Sequence, residues 1–265
     1  MIVVLIQLSS SMLVSWIIIT IRFKEVEISG KFLLASVLGV LHPGLSTVLG
    51  IVGLAHLDAS TSSTIWALEA AMTMVLASVM LAEKLKVIQI FLIIVSVGGV
   101  FFMTMNSGQT RDLGESLYGA LLALIAVASC AMYTVFSRQI SKESAAEPLL
   151  LVAGQQTIGL VVCLAMFPFH WSIERLSELN AISIDIWLVC ALSGNLTFLV
   201  AMGLFLAALR HLSAGFASSF LILTPVFGLA FAFLLLGEVL TGWQWVGVLI
   251  ILMSVSGIQY ANGEG

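Results

Sequence analysis

Charge is what this sequence has least of. Among 265 residues there are 10 basic and 14 acidic side chains, a charged fraction of 9%. Ordinary soluble domains carry roughly 25%. A water-soluble globule cannot cover its surface with so few charges, which excludes a soluble enzyme. A hydrophobic fraction of 60% and a mean hydropathy of +1.16 exclude a disordered chain. The net charge of −4 gives no electrostatic reason to expect a nucleic-acid partner. Cysteine is also scarce. Cys130, Cys163 and Cys190 each lie in or at the edge of an apolar run, without CxxC spacing. They read as small packing residues rather than disulfide partners or metal ligands, and no cofactor is implied.

What the chain has in quantity is apolar length. Crossing a hydrocarbon core of roughly 30 Å takes about 20 apolar residues in a helix. Nine such runs are predicted: Ile2–Ile21, Phe32–Leu54, Ser60–Leu81, Val87–Met105, Leu117–Ser137, Leu149–Phe169, Asp185–Leu209, Ala214–Leu236 and Trp243–Tyr260. Runs of this length exclude an outer-membrane barrel, whose strands are about ten residues of alternating polarity. The joins are short and hold nearly all the charge, so no soluble domain fits between them. The fold class is an all-α polytopic membrane protein.

Lys and Arg on alternate joins set the expected orientation. One side holds Arg22, Lys24, Lys31, Lys84, Lys86, Arg138, Lys142 and Arg210; the other holds Arg111 and Arg175. The richer side is the expected cytoplasmic side, which puts the C-terminus inside. The first run has no Lys or Arg before it and a basic cluster after it, the reverse of a signal peptide. It reads as a retained helix.

The sequence also repeats itself. A shift of 155, His211 minus His56, lays Ala55–Gln89 over Arg210–Gln244. His56, Ser63, Glu83 and Gln89 then fall on His211, Ser218, Glu238 and Gln244. His, Glu and Gln are rare here, so those matches carry weight that Leu on Leu does not. The basic joins of one copy face the Lys- and Arg-free joins of the other. This is the pattern of two inverted-topology helical repeats, a layout that recurs in secondary transporters. The expected boundaries are residues 1–106 for the first repeat, 107–116 for an extracytoplasmic linker, 117–260 for the second repeat and 261–265 for a short tail. The second repeat has five runs and the first has four. A tenth helix before Ile2 is therefore expected in the native protein.

Two stretches carry a family resemblance. One is Ser62–Leu85, with Leu68-Glu69-Ala70 and Ala82-Glu83-Lys84-Leu85; the other is Ala214–Leu240, with Leu223-Thr224-Pro225 and Gly237-Glu238-Val239-Leu240. They resemble the EamA-type transporters of the drug/metabolite transporter superfamily. That resemblance implies ten helices in two inverted halves of five, which matches the tenth-helix expectation. The chain departs from the pattern at Ala82, where Gly precedes Glu in the second copy, and at Ala70, where many members carry Pro.

Candidate functional residues are those whose chemistry is costly inside a membrane. Glu69 lies mid-span among alanines and leucine. A mid-membrane acid is expensive in its charged form, which makes Glu69 a candidate for taking up and releasing protons; the competing role is a packing bond to a nearby Ser or Thr. His42 precedes Pro43 and Gly44 in mid-span, where proline removes a donor and a kink or break is expected. Pro225, after Thr224, is expected to kink its helix and free a carbonyl. Trp66, Tyr133, Gln155, Gln156 and Asn195 are polar or amphipathic groups within spans, each either interhelical glue or part of a site for a polar metabolite. Adjacent Gln155 and Gln156 point roughly 100° apart, so one at most is expected to face a central cavity. Glu83 and Glu238 read as structural turn residues beside helix N-termini. Small-xxx-small spacings at Ala35/Gly39, Gly215/Ser219 and Gly228/Ala232 allow close helix contact.

The leading reading is a secondary carrier working by alternating access in the cell membrane. It would move an amino acid or related polar solute, with export favoured by the resemblance, coupled to protons or to solute exchange. No GxxxxGK[ST] loop exists to bind ATP. A passive channel or facilitator is the alternative. An intramembrane enzyme fits less well, since no GxSxG turn exists and the aspartates lie at helix edges. Monomer and homodimer both remain open.

Overall fold

A computed structural model of the chain describes residues 2–22, 30–57, 59–104, 113–143, 147–170, 183–224, 226–227, 230–231, 234 and 242–263. In hydrocarbon every backbone N–H and C=O must find its partner inside the protein, and a helix supplies both from its own chain. Among the described residues the runs accordingly form nine helical rods. They are α1 (Ile2–Arg22), α2 (Gly30–Ala55), α3 (Ala59–Met80), α4 (Val87–Thr104), α5 (Leu113–Glu143), α6 (Pro148–His170), α7 (Ile184–Ala208), α8 (Ala214–Leu223) and α9 (Gly242–Gly263). α1, α2, α7 and the Leu117–Ser141 and Pro148–Phe167 parts of α5 and α6 are each long and apolar enough to cross a bilayer. The protein is an integral multi-pass membrane protein. α5 runs past its predicted Leu117–Ser137 span at both ends, because a helix leaving the hydrocarbon keeps its backbone bonds without needing apolar side chains.

The rods group into two compact units that are not consecutive in sequence. The first comprises Met1–Ile51 and Phe136–His211. Its buried stripe on α1 is Val4, Leu8, Ser11, Ser15 and Ile19, a spacing of three and four that marks one helix face. Val3, Leu13, Ile17 and Ile21 are exposed on the other faces, as side chains meeting lipid should be. α2 lies close against α6. A Cβ added at Gly39 would overlap the Gln155 backbone, and one at Gly154 would overlap the Ser36 hydroxyl. Small residues on both helices are what permit this approach. At the C-terminal end of α7, an Arg138 guanidinium nitrogen donates to the Leu209 carbonyl. This places a cation where the helix dipole is negative and carbonyls lack helical donors.

The second unit comprises Val52–Val135 and Leu212–Gly265. Ala70 and Met74 of α3, Ile93 of α4, Ile222 of α8, and Val248, Ile251, Val255 and Ile258 of α9 form its main buried cluster. Lys86, just before α4, donates through its ammonium to the Ala261 carbonyl near the end of α9. It repeats the cation-on-C-terminus device of the first unit.

The end of α3 explains one departure from the family pattern. The Leu81 and Glu83 amides both donate to the Ala77 carbonyl, at 2.9 and 3.3 Å. Closing a helix this way requires a left-handed residue between them, and Ala82 has φ 53°. Glycine is the usual occupant because it has no Cβ to clash, and Gly237 stands at the equivalent position of the second copy. Ala82→Gly should therefore raise stability by about 1 kcal/mol, and Ala82→Val should lower it. Thermal unfolding of the purified variants in detergent checks both signs, and an unchanged melting temperature for both would remove the strain argument.

Candidate functional site

In the first unit the backbone itself is irregular at two places. α2 is broken at Leu41–Leu45, where His42 leaves the helical region with φ −146° and ψ 128°. The cause is local. Pro43 has no backbone N–H to donate, so the helical hydrogen-bond ladder is interrupted there. α7 widens into a π segment at Asn195–Ala201, which the sequence did not predict because no proline marks it. Applying the repeat shift of 155 to residues 41–45 gives 196–200, inside that segment. Corresponding helices of the two repeats are thus irregular at corresponding positions.

Both irregular segments lie against α6, and side chains meet the backbone there. The Gln156 side-chain amide donates to the Phe198 carbonyl inside the α7 segment at 2.5 Å. The Gln155 amide donates to the Ala35 carbonyl of α2 at 3.2 Å. Adjacent residues on one helix therefore reach two different neighbours. His42 Nδ1 lies 2.8 Å from the Ser46 hydroxyl, and its ring centroid is 6.5 Å from that of Phe198. Asn195 donates to the Ser10 hydroxyl at 2.8 Å and to the Ala191 carbonyl at 2.9 Å. Its own side-chain oxygen is buried without a partner among the described residues, as is the Ser11 hydroxyl.

α1 supplies polar partners that the sequence reading passed over. Gln7 donates to the Ser193 hydroxyl at 2.9 Å, and Trp16 donates through its indole to the Thr157 hydroxyl at 3.0 Å. Ser15 donates to the Ser11 carbonyl at 2.7 Å. The available signal was the recurrence of Gln7, Ser11 and Ser15 on one face of an otherwise apolar run.

In the second unit Glu69 stands at the middle of α3, half-buried, with half-buried Trp66 one turn earlier. Among the described residues nothing bonds to the Glu69 carboxyl. Thr73, one turn later, is fully buried and its hydroxyl has no partner among the described residues. The packing bond to a neighbouring Ser or Thr that competed with a functional role is thus not made to Thr73. Tyr133 is buried in α5, and Thr224 is exposed just after α8. Pro225 and Glu238 lie outside the described residues.

Glu83 has a partner far along the chain. Its two carboxylate oxygens accept from the Ala214 and Gly215 amides at 2.9 and 3.2 Å. The Ser213 hydroxyl accepts from the Phe216 amide at 3.2 Å. Three of the four amides left without carbonyl partners at the start of α8 are satisfied in this way. The Gly-Glu signature thus has a physical reading on this side: the first residue turns the chain left-handed, and the carboxylate caps the facing helix. His56, the other residue matched across the repeat, sets its ring edge-on to Tyr118 at 5.3 Å.

Among the described residues no cluster of His, Cys, Asp or Glu has the makings of a metal site. The chemistry on offer is acceptor oxygens, aromatic faces and one mid-helix carboxyl.

Comparison with known proteins agrees with this architecture. The family model described as the EamA-like transporter family matches residues 1–105 and 117–260. A WAT1-related chloroplastic protein of Arabidopsis thaliana is 26% identical over 220 residues, covering 80% of this chain and 51% of its own length. The chain therefore spans about half of that relative. An uncharacterized transporter of Clostridium kluyveri is 26% identical over 256 residues, covering 92% of this chain and 77% of its own. A solved protein crystal structure superposes with a TM-score of 0.80 over 97% of this chain and 87% of its own, at 10% identity, which shows a shared fold. With its matched segments spanning nearly all of the sequence, the chain belongs to the EamA-like transporter family.

Proposed function

We propose that this chain is a secondary carrier that moves a small polar or amphipathic metabolite across the cell membrane by alternating access. Export coupled to protons or to solute exchange is the mode we favour, with the C-terminus in the cytoplasm as the Lys and Arg distribution suggests. The observation that carries this reading is the pair of matched irregular segments in α2 and α7. Non-helical backbone at membrane depth is tolerated only where protein or a water-filled cavity satisfies it. Broken helices in corresponding repeat positions are how many carriers build a site that must change its exposure.

Within this reading the residues divide by task. Gln156 bonds to a carbonyl of the irregular α7 segment and Gln155 to the Ala35 carbonyl in the regular part of α2, so we assign both to helix packing rather than to the solute. His42, Asn195 and the adjoining π-segment backbone are candidates for solute contact within the first unit. To Glu69 we assign the proton-carrying role. Trp66, Tyr133 and Thr224 are the remaining candidates for solute contact, with Pro225 proposed from sequence alone. Glu83 is structural, through its cap on α8, and we extend that role to Glu238 by the repeat.

Counterflow in proteoliposomes separates carrier from channel. A carrier preloaded with unlabelled solute accelerates uptake of the labelled solute; a passive pore shows no such trans-stimulation, and that result would replace the proposal with the facilitator reading. Glu69→Gln should abolish solute movement driven by a pH gradient, by tenfold or more, while leaving some solute exchange; undiminished proton-driven flux would remove Glu69 from the coupling path. Gln156→Leu should lower stability by about 1–3 kcal/mol, because it leaves the buried Phe198 carbonyl without its donor. Thermal unfolding reads this directly, and a wild-type melting temperature would show that the bond is dispensable.

A further inference from the structure

Polar side chains of the first unit meet along one seam, where α1 packs on the π segment of α7. Gln7, Ser11 and Ser15 recur on α1 at intervals of one turn. Gln7 donates to the Ser193 hydroxyl at 2.9 Å, just before the segment begins. Asn195, the first residue of the segment, donates to the Ser10 hydroxyl at 2.8 Å. Ser15 lies 3.4 Å from the Gln156 side-chain oxygen, and the amide of Gln156 donates to the Phe198 carbonyl within the segment. Ser11 is therefore bracketed by contacts that lead to one stretch of α7. The helices approach closely here, since a Cβ added at Gly194 would stand 2.4 Å from the Gln7 carbonyl oxygen.

Two atoms on this seam are left over. Asn195 uses its side-chain amide twice, toward Ser10 Oγ and, at 2.9 Å, toward the Ala191 carbonyl. A carbonyl only accepts, so the second bond fixes which end of the side chain carries the hydrogens and leaves Oδ1 as a pure acceptor. That oxygen is buried without a partner among the described residues, and so is the hydroxyl of Ser11, a residue 0% exposed. Several hydroxyls of the same unit take the carbonyl one turn back: Ser15 that of Ser11, Ser36 that of Phe32 and Thr157 that of Ala153. Ser11 does not. A buried donor and a buried acceptor left unmet cost more than a formed bond contributes, so a complement to both is required.

That complement has to be small, and it has to donate as well as accept. Both atoms are sealed from the surface, which keeps a metabolite away from them in this conformation. A bare cation at this depth would need several further oxygens or a carboxylate, and neither α1 nor Asn195–Ala201 contains Asp or Glu. We infer that α1 and α7 enclose a site for one internal water, which donates to Asn195 Oδ1 and accepts from the Ser11 hydroxyl. Buried waters of this kind are integral to many protein interiors and are costly to remove. This one joins α1 to the irregular segment at a point where no side chain spans the gap. The inference goes beyond the carrier reading and does not depend on it. A solute would reach Asn195 only after this seam opens and the water leaves.

An experimental structure of the full chain, at a resolution that shows ordered water, is the direct test. A density peak is expected at about 2.7–3.0 Å from both Asn195 Oδ1 and Ser11 Oγ. Both atoms in place with no peak, or a direct bond between them, would overturn the inference; so would a peak ringed by five or more oxygens at about 2.4 Å, which marks a metal ion. Thermal unfolding in detergent gives an independent reading. If the hydroxyl is bonded to water, Ser11→Ala should lower the melting temperature by about 2–4 °C. If the hydroxyl is simply unmet, its removal relieves a cost, and an unchanged or raised melting temperature would sink the proposal. Equal melting temperatures are expected in sodium chloride and in choline chloride of the same ionic strength. A stabilisation specific to sodium that disappears in Ser11→Ala would replace the water with a cation. The wild-type structure and the salt comparison decide the matter even where the variant fails to fold.

Discussion

A backbone amide or carbonyl left without a partner in hydrocarbon costs several kcal/mol, and most of what is specific in this protein follows from that cost. Where the chain is regular, the helices discharge the requirement themselves, and side chains need only be apolar outside and small at the contacts. Where the chain departs from regular helix, a particular side chain has to supply the missing bond. Gln156 does so for Phe198 inside the α7 segment. The ends of helices pose the same problem, and Arg138, Lys86 and Glu83 answer it with charge of the appropriate sign. Arg138, Lys86, Glu83 and Gln156 thus all act at interruptions of backbone hydrogen bonding.

The repeat gives these interruptions a pattern. Irregular segments sit at equivalent positions of α2 and α7 although their local chemistry differs, Pro43 in one and no proline in the other. The irregularities differ in kind: α2 is broken by an extended residue at His42, whereas α7 continues through wider π turns.

Glu69 differs from every other acidic residue whose surroundings are described. Glu83 is satisfied by two amides of α8, and Asp185 lies in the first turn of α7, where the helix dipole favours it. Glu69 has neither kind of support at mid-helix. Its neighbours Ala67, Leu68, Ala70 and Ala71 bear no polar side-chain atom.

The sequence alone determined the helical character, the positions of the spans, the asymmetry of basic residues, the register of the repeat and the singular position of Glu69. Each depends on composition or on spacing along one helix, and such information is local. Tertiary structure decided which faces meet. It showed that Gln155 and Gln156 reach two different helices, that Glu83 caps a helix 131 residues away, and that the seam of α1 is polar through Gln7, Ser15 and Trp16. It also decided that the compact units are assembled from separate stretches of chain. In a membrane protein this division has a clear cause. Lipid and protein interior are both apolar, so hydropathy says where a helix crosses but hardly which side of it is buried, and the choice of neighbours falls to small residues and scattered hydrogen bonds whose partners are far away in sequence.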